Sequence, residues 1–494
     1  MNWLSGILSG YETAILVYLL AVNSVYFILV LIGFFDLYRR KFTAITPGLA
    51  EVVKNSRLSP PISILAPAFN EAATVRDSVR AMLSLDYPEY EVVVINDGST
   101  DVTLDVLVRE FHLYKSARYY SESLASKPIR AIYESLDPVR LVIVDKDNGG
   151  KADALNAGLN VARYPLVCAV DTDSLIERDA LLRTVMPFVE DPSVIGVGGI
   201  VRVANGCDVS GGRVTSVGLP RSWMARFQVV EYLRAFLGGR VALSSMNSLL
   251  LVSGAFGVFS KKAVLEVGGY RADTVGEDLE LVVRLHRFSL DQGRDYRIVF
   301  LPDPVCWTEV PESLASLRRQ RNRWQRGTIE TMWQHRSMIG RPRYGVLGMF
   351  AMPYFLLFEM LGPLIETAGY ALTIAGLALG ALSAETAMLF FLATMAYGIL
   401  LSVASVTLEE MTLRRYPGVR DMLTMVVSGV VENLGFRQMV TVWRALAFVD
   451  LIRGRTGWGA MERKGFQRLA DAAAEAPRLP APQAPDPVPG FDTI

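Results

Sequence analysis

Residues 141–173 read LVIVDKDNGGKADALNAGLNVARYPLVCAVDTD, and this stretch decides the fold. Leu141 to Val144 is a short apolar run, Lys151 to Val161 has a helical pattern, and Leu166-Val167-Cys168-Ala169-Val170 is a second apolar run. Runs of this length and composition suit strands buried on both faces of a sheet. The second run delivers Asp171-Thr172-Asp173, so two carboxylates leave one strand end with a single residue between them. Side chains at i and i+2 of an extended chain point the same way, roughly 6–7 Å apart at the backbone. That pairing suits a hard divalent cation carrying a diphosphate. Alone it is weak, because surface loops produce Asp-x-Asp constantly.

The same alternation extends upstream. Ile62-Ser63-Ile64-Leu65-Ala66 reads as a strand, Ala72 to Leu85 as a helix, Glu91 to Ile95 as a strand and Asp101 to Phe111 as a helix. Such a series predicts an α/β domain built on a Rossmann-like, mostly parallel sheet with helices on both faces. Sheets of this kind bind ligands beyond the carboxyl ends of their strands, where the strand order reverses. The polar clusters fall at those ends: Asn70-Glu71, Asn96-Asp97-Gly98-Ser99-Thr100-Asp101, Asp145 with Asn148 to Asn156, and Asp171 to Asp173. Each has a plainer reading as a helix cap or a turn. Four of them on one rim exceed what turn chemistry alone requires.

The chain has 494 residues, 51% hydrophobic and 20% charged, with a mean hydropathy of +0.29. The apolar excess is localised. Thr13 to Phe35 is nearly uncharged and exceeds the roughly 20 residues that cross a hydrocarbon layer; Arg39-Arg40-Lys41 follows, placing the next domain in the cytoplasm by the positive-inside rule. A cleaved signal peptide is disfavoured by the absence of a basic start and of a small-residue cleavage site. Downstream, a second hydrophobic region runs from Val346 to about Val406; Glu359 and Glu366, with Pro353 and Pro363, make its first part read as an interfacial or protein-packed helix. Leu364 to Leu382 and Ala387 to Val406 read as a hairpin of two spans, returning through Arg414, Arg415 and Arg420. Met422 to Ile452, with Glu432, Arg437 and Arg444, is read at the interface; a further span is the competing placement. Net charge is zero and no dense basic stripe exists, so nucleic acid is not an expected partner. The three cysteines have no metal-ligand spacing. The organisation expected is a membrane helix over 1–41, the α/β domain over 58–310 and amphipathic interface helices over 311–345. A membrane region over 346–452, a gating segment over 453–470 and a disordered Ala/Pro-rich tail over 471–494 follow.

The strings PAFNEA, VVVINDGSTD, DNGGKADALNAGL and AVDTDS resemble the donor-binding half of the inverting family-two glycosyltransferases. Val252-Ser253-Gly254-Ala255-Phe256, Gly276-Glu277-Asp278 and Gln320-Arg321-Asn322-Arg323-Trp324 continue the resemblance. The last fits the Q-x-x-R-W signature of the processive membrane synthases of cellulose, chitin, hyaluronan and poly-N-acetylglucosamine. The resemblance implies a GT-A fold in a multi-pass protein of a bacterial-type inner membrane, with transmembrane and interfacial helices and a cytoplasmic catalytic domain. It implies a metal-dependent enzyme moving a sugar from a UDP-sugar to a growing β-linked polysaccharide, with Mg2+ or Mn2+ on the diphosphate. UDP-N-acetylglucosamine is the first choice of donor.

By the same resemblance, Asp97 accepts from the uracil, with Asn70 and Glu71 near base and ribose. Lys151, Asp153 and Asp171 lie beside the donor, and Asp173 holds the metal. Asp278 is the general base, Glu277 lies beside it on the acceptor side, and Gln320, Arg323 and Trp324 meet the diphosphate and the acceptor sugar. Trp458 and Arg463 belong to a possible gate, for which a simple membrane anchor is an equal alternative. Expected partners are a glycan or lipid-linked acceptor, membrane lipids, and a homo-oligomer or export partner. Two other readings stay open: the same chemistry performed once on a lipid-linked acceptor, and a nucleotide-binding sensor, which the presence of Asp97, Asp173 and Asp278 opposes.

Overall fold

A computed structural model describes residues 2–42, 53, 59–135, 141–210, 212–380, 382–412, 416 and 418–454. Trp458 and Arg463, the tail and the arginines Arg414, Arg415 and Arg455 lie outside the described residues.

The strands are β1 (Ile62–Ala68), β2 (Tyr90–Asp97), β3 (Leu113–Ser116), β4 (Ile129–Ser135), β5 (Leu141–Lys146) and β6 (Leu166–Val170), then β7 (Leu175–Ile176), β8 (Val194–Val203), β9 (Asp208–Ser210), β10 (Arg213–Ser216), β11 (Phe256–Ser260) and β12 (Arg297–Thr308). Ten of them form one sheet in the order β3-β4-β5-β2-β1-β6-β11-β8-β12-β7, and β9 pairs with β10 apart from it. The central four, β5-β2-β1-β6, are parallel as expected. The sheet as a whole is mixed rather than mostly parallel. Five of its nine neighbouring pairs are antiparallel, because β3 and β4 form a hairpin on one edge and β11 inserts between β6 and β8.

Register sets the rim. Ala68 pairs with Asn96, Asn96 with Asp145 and Asp97 with Lys146, while β6 runs beside β1 as far as Leu65–Ala169. The loops after these strands therefore emerge side by side. The chain builds outward from β1 through β2 to β5, then returns across β1 to place β6, so the crevice between β1 and β6 is the point of reversal. Helix Lys151–Val161 matches its expected bounds and is buried along almost its whole length against β1 and β2. The helices expected at Ala72 to Leu85 and Asp101 to Phe111 are shorter, Val75–Leu83 and Thr103–Glu110. Glu71, Thr74, Asp101 and Thr103 spend their groups on loop hydrogen bonds instead.

Two helical stretches among the described residues are long and apolar enough to cross a membrane: Leu20–Arg39, mean hydropathy 2.1, and Leu347–Ala378, mean hydropathy 1.5. The first lies within helix Asn2–Phe42, which packs on the π-helical stretch Arg234–Arg240, on Val241–Ser245 and on Ala384–Thr412. The second joins two segments that the sequence separated. Pro353 and Pro363 fall in first-turn positions of Met352–Tyr354 and Gly362–Ala378, where a missing N–H costs little, so the apolar helix continues through both. The Met422 to Ile452 stretch breaks at Gly435 (φ +107°) into helices Val419–Val431 and Phe436–Ile452. The latter packs on helix Leu314–Gln334 and on Gly362–Ala378.

Candidate active site

The first cluster is a closed ionic knot. Lys146, at the end of β5, is fully buried and donates to Asp97 Oδ1 at 2.6 Å. The same ammonium lies 2.5 Å from Asp153 Oδ1. The amides of Gly149 and Gly150 donate to Asp97 at 3.0 and 2.8 Å, and the Lys127 amide donates to Asp153 at 3.0 Å. Asn148 Nδ2 adds a bond to the Asp97 carbonyl at 2.7 Å. The two carboxylates expected to face the donor thus hold the Asn148 to Lys151 loop against β2. A buried charge is tolerated when it is paired and hydrogen-bonded, and here both conditions are met. Lys146 was missed in the sequence, because a lysine closing an apolar strand reads as a solvated end.

Asn70 and Glu71 lie on the rim of the β1/β6 crevice. Asn70 has φ +56°, a left-handed conformation that asparagine accepts better than most residues. Its Oδ1 takes the Thr100 amide at 2.8 Å, and its own amide donates to Ser99 Oγ at 3.0 Å. Glu71 Oε2 accepts from Thr74 Oγ1 at 2.8 Å. These bonds lace the loops after β1 and β2 together and leave Asn70 exposed.

The second cluster is open. A cavity of about 1480 Å³ is lined by Lys151, Asp171, Asp173, Gly254, Glu277 and Asp278 at one end. Asn70, Glu71, Asp97 and Asp153 do not line it; Asp97 connects to it through the loop that ends in Lys151. Lys151 Nζ lies 2.6 Å from Asp171 Oδ1 and 3.5 Å from Glu277 Oε1, and donates to the Gly254 carbonyl at 3.1 Å. Burial alone would lower the Lys151 pKa; Asp171, Glu277 and Asp278 outweigh it and hold the ammonium above its ordinary value. Burial pushes the Glu277 carboxyl up, with Lys151 opposing and Asp278 adding to the rise.

Asp278 sits in the first turn of helix Glu277–Asp291. Its Oδ2 accepts the Gly254 amide at 2.8 Å and its Oδ1 the Leu279 amide at 2.8 Å. Both oxygens keep lone pairs for a further partner. A Cβ on Gly254 would stand 3.0 Å from Asp278 Oδ2 and 3.0 Å from Lys151 Nζ, so only glycine lets the two approach the same backbone. The helix start is pinned by a second close approach: a Cβ on Gly276 would meet Gly327 Cα at 2.8 Å.

Gly327 belongs to helix Leu314–Gln334, capped by Ser313 Oγ, which accepts the Ser316 amide. Gln320, Arg321, Arg323 and Trp324 all face the cavity from this helix. Gln320 is 9% exposed and its Oε1 has no hydrogen-bond partner among the described residues. Arg321, not anticipated from the sequence, pairs with Glu231 at 2.8 Å and stacks 4.4 Å over the Trp324 ring. Trp324 remains 43% exposed, with one indole face covered by that guanidinium. Beyond these residues the cavity continues past Tyr26, Glu359, Tyr370 and Phe391 into the apolar helices.

Among the described residues no three His, Cys, Asp or Glu side chains gather as a metal cage. The donor set beside Lys151 is Asp171 and Asp173, the latter buried to 8% exposure. Two carboxylate residues suit a cation that brings its remaining oxygens on a diphosphate, as Mg2+ does. Asp171 already shares one oxygen with Lys151.

Residues 60–327 match the model of the glycosyltransferase like family 2. A poly-beta-1,6-N-acetyl-D-glucosamine synthase of Staphylococcus epidermidis is 31% identical over 272 residues, 55% of each chain. The enzyme of the same description from Staphylococcus aureus strain COL is 31% identical over 274 residues, again 55% of each. The chain therefore spans about half the length of these relatives. A solved mannosyltransferase from Pyrobaculum calidifontis, in complex with GDP-Man and Mn2+, superposes with a TM-score of 0.51 at 20% identity, over 86% of this chain and 99% of that one. That likeness is one of fold, a GT-A-like mixed sheet flanked by helices. By the family model that covers more than half of it, the chain belongs to glycosyltransferase family 2.

Proposed function

We propose that this protein is a membrane-embedded inverting glycosyltransferase that extends a β-linked polysaccharide from a UDP-sugar, with Asp278 as general base. The observation that carries the reading is the shared approach to Gly254: Asp278 accepts its amide and Lys151 donates to its carbonyl. A cation for the leaving group and a base for the nucleophile thus flank one residue. The acceptor hydroxyl gives its proton to Asp278, and its oxygen attacks the anomeric carbon. The bond from that carbon to the diphosphate breaks, and UDP departs with the electron pair. A single in-line displacement on an α-linked donor leaves a β-linkage.

Lys151 meets the departing diphosphate, relieved by it of the carboxylates that now surround its ammonium. A divalent cation, when bound at Asp171 and Asp173, supplies further neutralisation of that charge. Asn70 and Glu71 bound the nucleoside side of the crevice, while the Lys146 knot fixes the loop that presents Lys151. Gln320 and Arg323 offer polar contacts beside the reacting sugar, and the open face of Trp324 offers the broad apolar surface that a pyranose ring stacks on. The cavity beyond them takes the growing chain outward through the apolar helices. The names of the similar staphylococcal synthases support N-acetylglucosamine as the transferred sugar.

One observation favours a second reading. Only two candidate spans occur among the described residues, few for a pore, which suits a single transfer onto a lipid-linked acceptor, or a pore completed by a second copy or an export partner. Purified protein given a panel of labelled UDP-sugars separates these readings. UDP release with long products supports the polymerase, release with one added sugar supports the single transfer, and no release from any UDP-sugar refutes both.

A further inference from the structure

Arg240 ends the π-helical stretch Arg234–Arg240, a local distortion often found at functional positions. Its neighbours along the cavity wall are matched: Arg234 pairs with Glu432 at 2.6 Å and Arg321 with Glu231 at 2.8 Å. Arg240 lines the same cavity, yet among the described residues it has no ion-pair partner, and its Nη1 is buried without a hydrogen bond. One face of the guanidinium is covered by the Phe236 ring at 4.1 Å, which fixes its plane. Burial pushes its pKa down to about 10, against the pull of Asp278, Tyr232 and Glu359, so it is a cation at neutral pH. A desolvated guanidinium with an idle N–H is costly unless a ligand completes it.

The position identifies the ligand. Lys151, at the start of the helix that follows β5, is occupied by Asp171 and the Gly254 carbonyl. Arg240 lies on the helical wall that packs on the N-terminal helix, and Asp278 acts on its charge. A sugar presented to Asp278 enters the cavity that Arg240 also lines. We infer that Arg240 binds the terminal sugar of the acceptor, donating from Nη1 to a hydroxyl or acyl carbonyl oxygen and holding the attacking hydroxyl against Asp278. This rests on the reading of Asp278 as base.

The test uses full-length Arg240→Met and Arg240→Lys with an N-acetylglucosamine oligosaccharide as acceptor. Acceptor KM, kcat and UDP affinity by calorimetry are read in parallel. Loss of a charged hydrogen bond predicts an acceptor KM raised about 10- to 100-fold in Arg240→Met, with UDP affinity within about twofold of wild type. Arg240→Lys, which keeps the charge, recovers part of the KM. Unchanged acceptor KM overturns the inference; so does UDP affinity that falls in step with transfer in both variants, which would assign Arg240 to the donor. Failure of the underlying reading looks different: wild type would show no transfer, or Asp278→Asn would retain it.

Discussion

The two sides of the site satisfy their polar groups in opposite ways. On the donor rim, Lys146, Asp97, Asp153 and the amides of Lys127, Gly149 and Gly150 complete one another. On the cavity side, Gln320 Oε1 and Arg240 Nη1 are buried without a hydrogen-bond partner among the described residues. A completed network is a scaffold and its loss is paid in stability, whereas an incomplete one is a binding surface, where loss shows in turnover. Mutating each side should therefore move a different observable.

Asp278→Asn gives the largest effect, because it removes the proposed proton acceptor; the amide oxygen keeps one of the two backbone N–H bonds that Asp278 accepts and the amide nitrogen loses the other. Turnover should fall about 10²–10⁴-fold with UDP affinity unchanged in a calorimetric titration; unchanged turnover removes the base assignment. Lys146→Met is the counterpart on the donor rim. Stranding buried Asp97 and partly buried Asp153 should cost about 3–5 kcal/mol, read as a larger drop in unfolding midpoint than Asp278→Asn shows. Gln320→Leu should do the reverse, holding or slightly raising the midpoint while transfer falls; a large loss of stability would place Gln320 in the scaffold.

Gly254→Ala sharpens the contrast at the point where the two sides meet. The added methyl would stand 3.0 Å from both Asp278 Oδ2 and Lys151 Nζ, so transfer should fall while the fold holds, since both neighbours are side-chain ends beside open cavity. Glu277 gives the smallest effect. Its folded pKa is raised, burial first, so the protonated form is the one the fold prefers. The associated stability is present below the ordinary carboxylate value of about 4.3 and lost as pH rises through the higher folded value. Glu277→Gln, a mimic of the protonated form, should therefore melt slightly above wild type at neutral pH, and the gap should close on acidification.

Much of this site was legible because its elements carry local signals. Lys151–Val161, Glu277–Asp291 and Leu314–Gln334 announce themselves by apolar spacing and by Gly or Ser at their starts. The parallel strands β1, β2, β5 and β6 are mostly apolar runs, broken by Ser63 in β1 and Glu91 in β2. What sequence concealed is non-local. β11 resembles any short apolar segment, and its antiparallel placement between β6 and β8 depends on partners far away in the chain. The roles of Asp97 and Asp153 in holding a loop depend on Lys146, whose burial no periodicity reveals. Arg240 is concealed for the same reason: its isolation is a property of the wall around it.

The central claim is that the donor rim and the open cavity serve one substrate pair. A structure with UDP, a divalent cation and a short glycan tests it most directly. The account predicts the diphosphate between Lys151 and Asp173, with the glycan terminus between Asp278 and Trp324. A nucleotide bound away from Asp173, or a glycan end out of reach of Asp278, would contradict it.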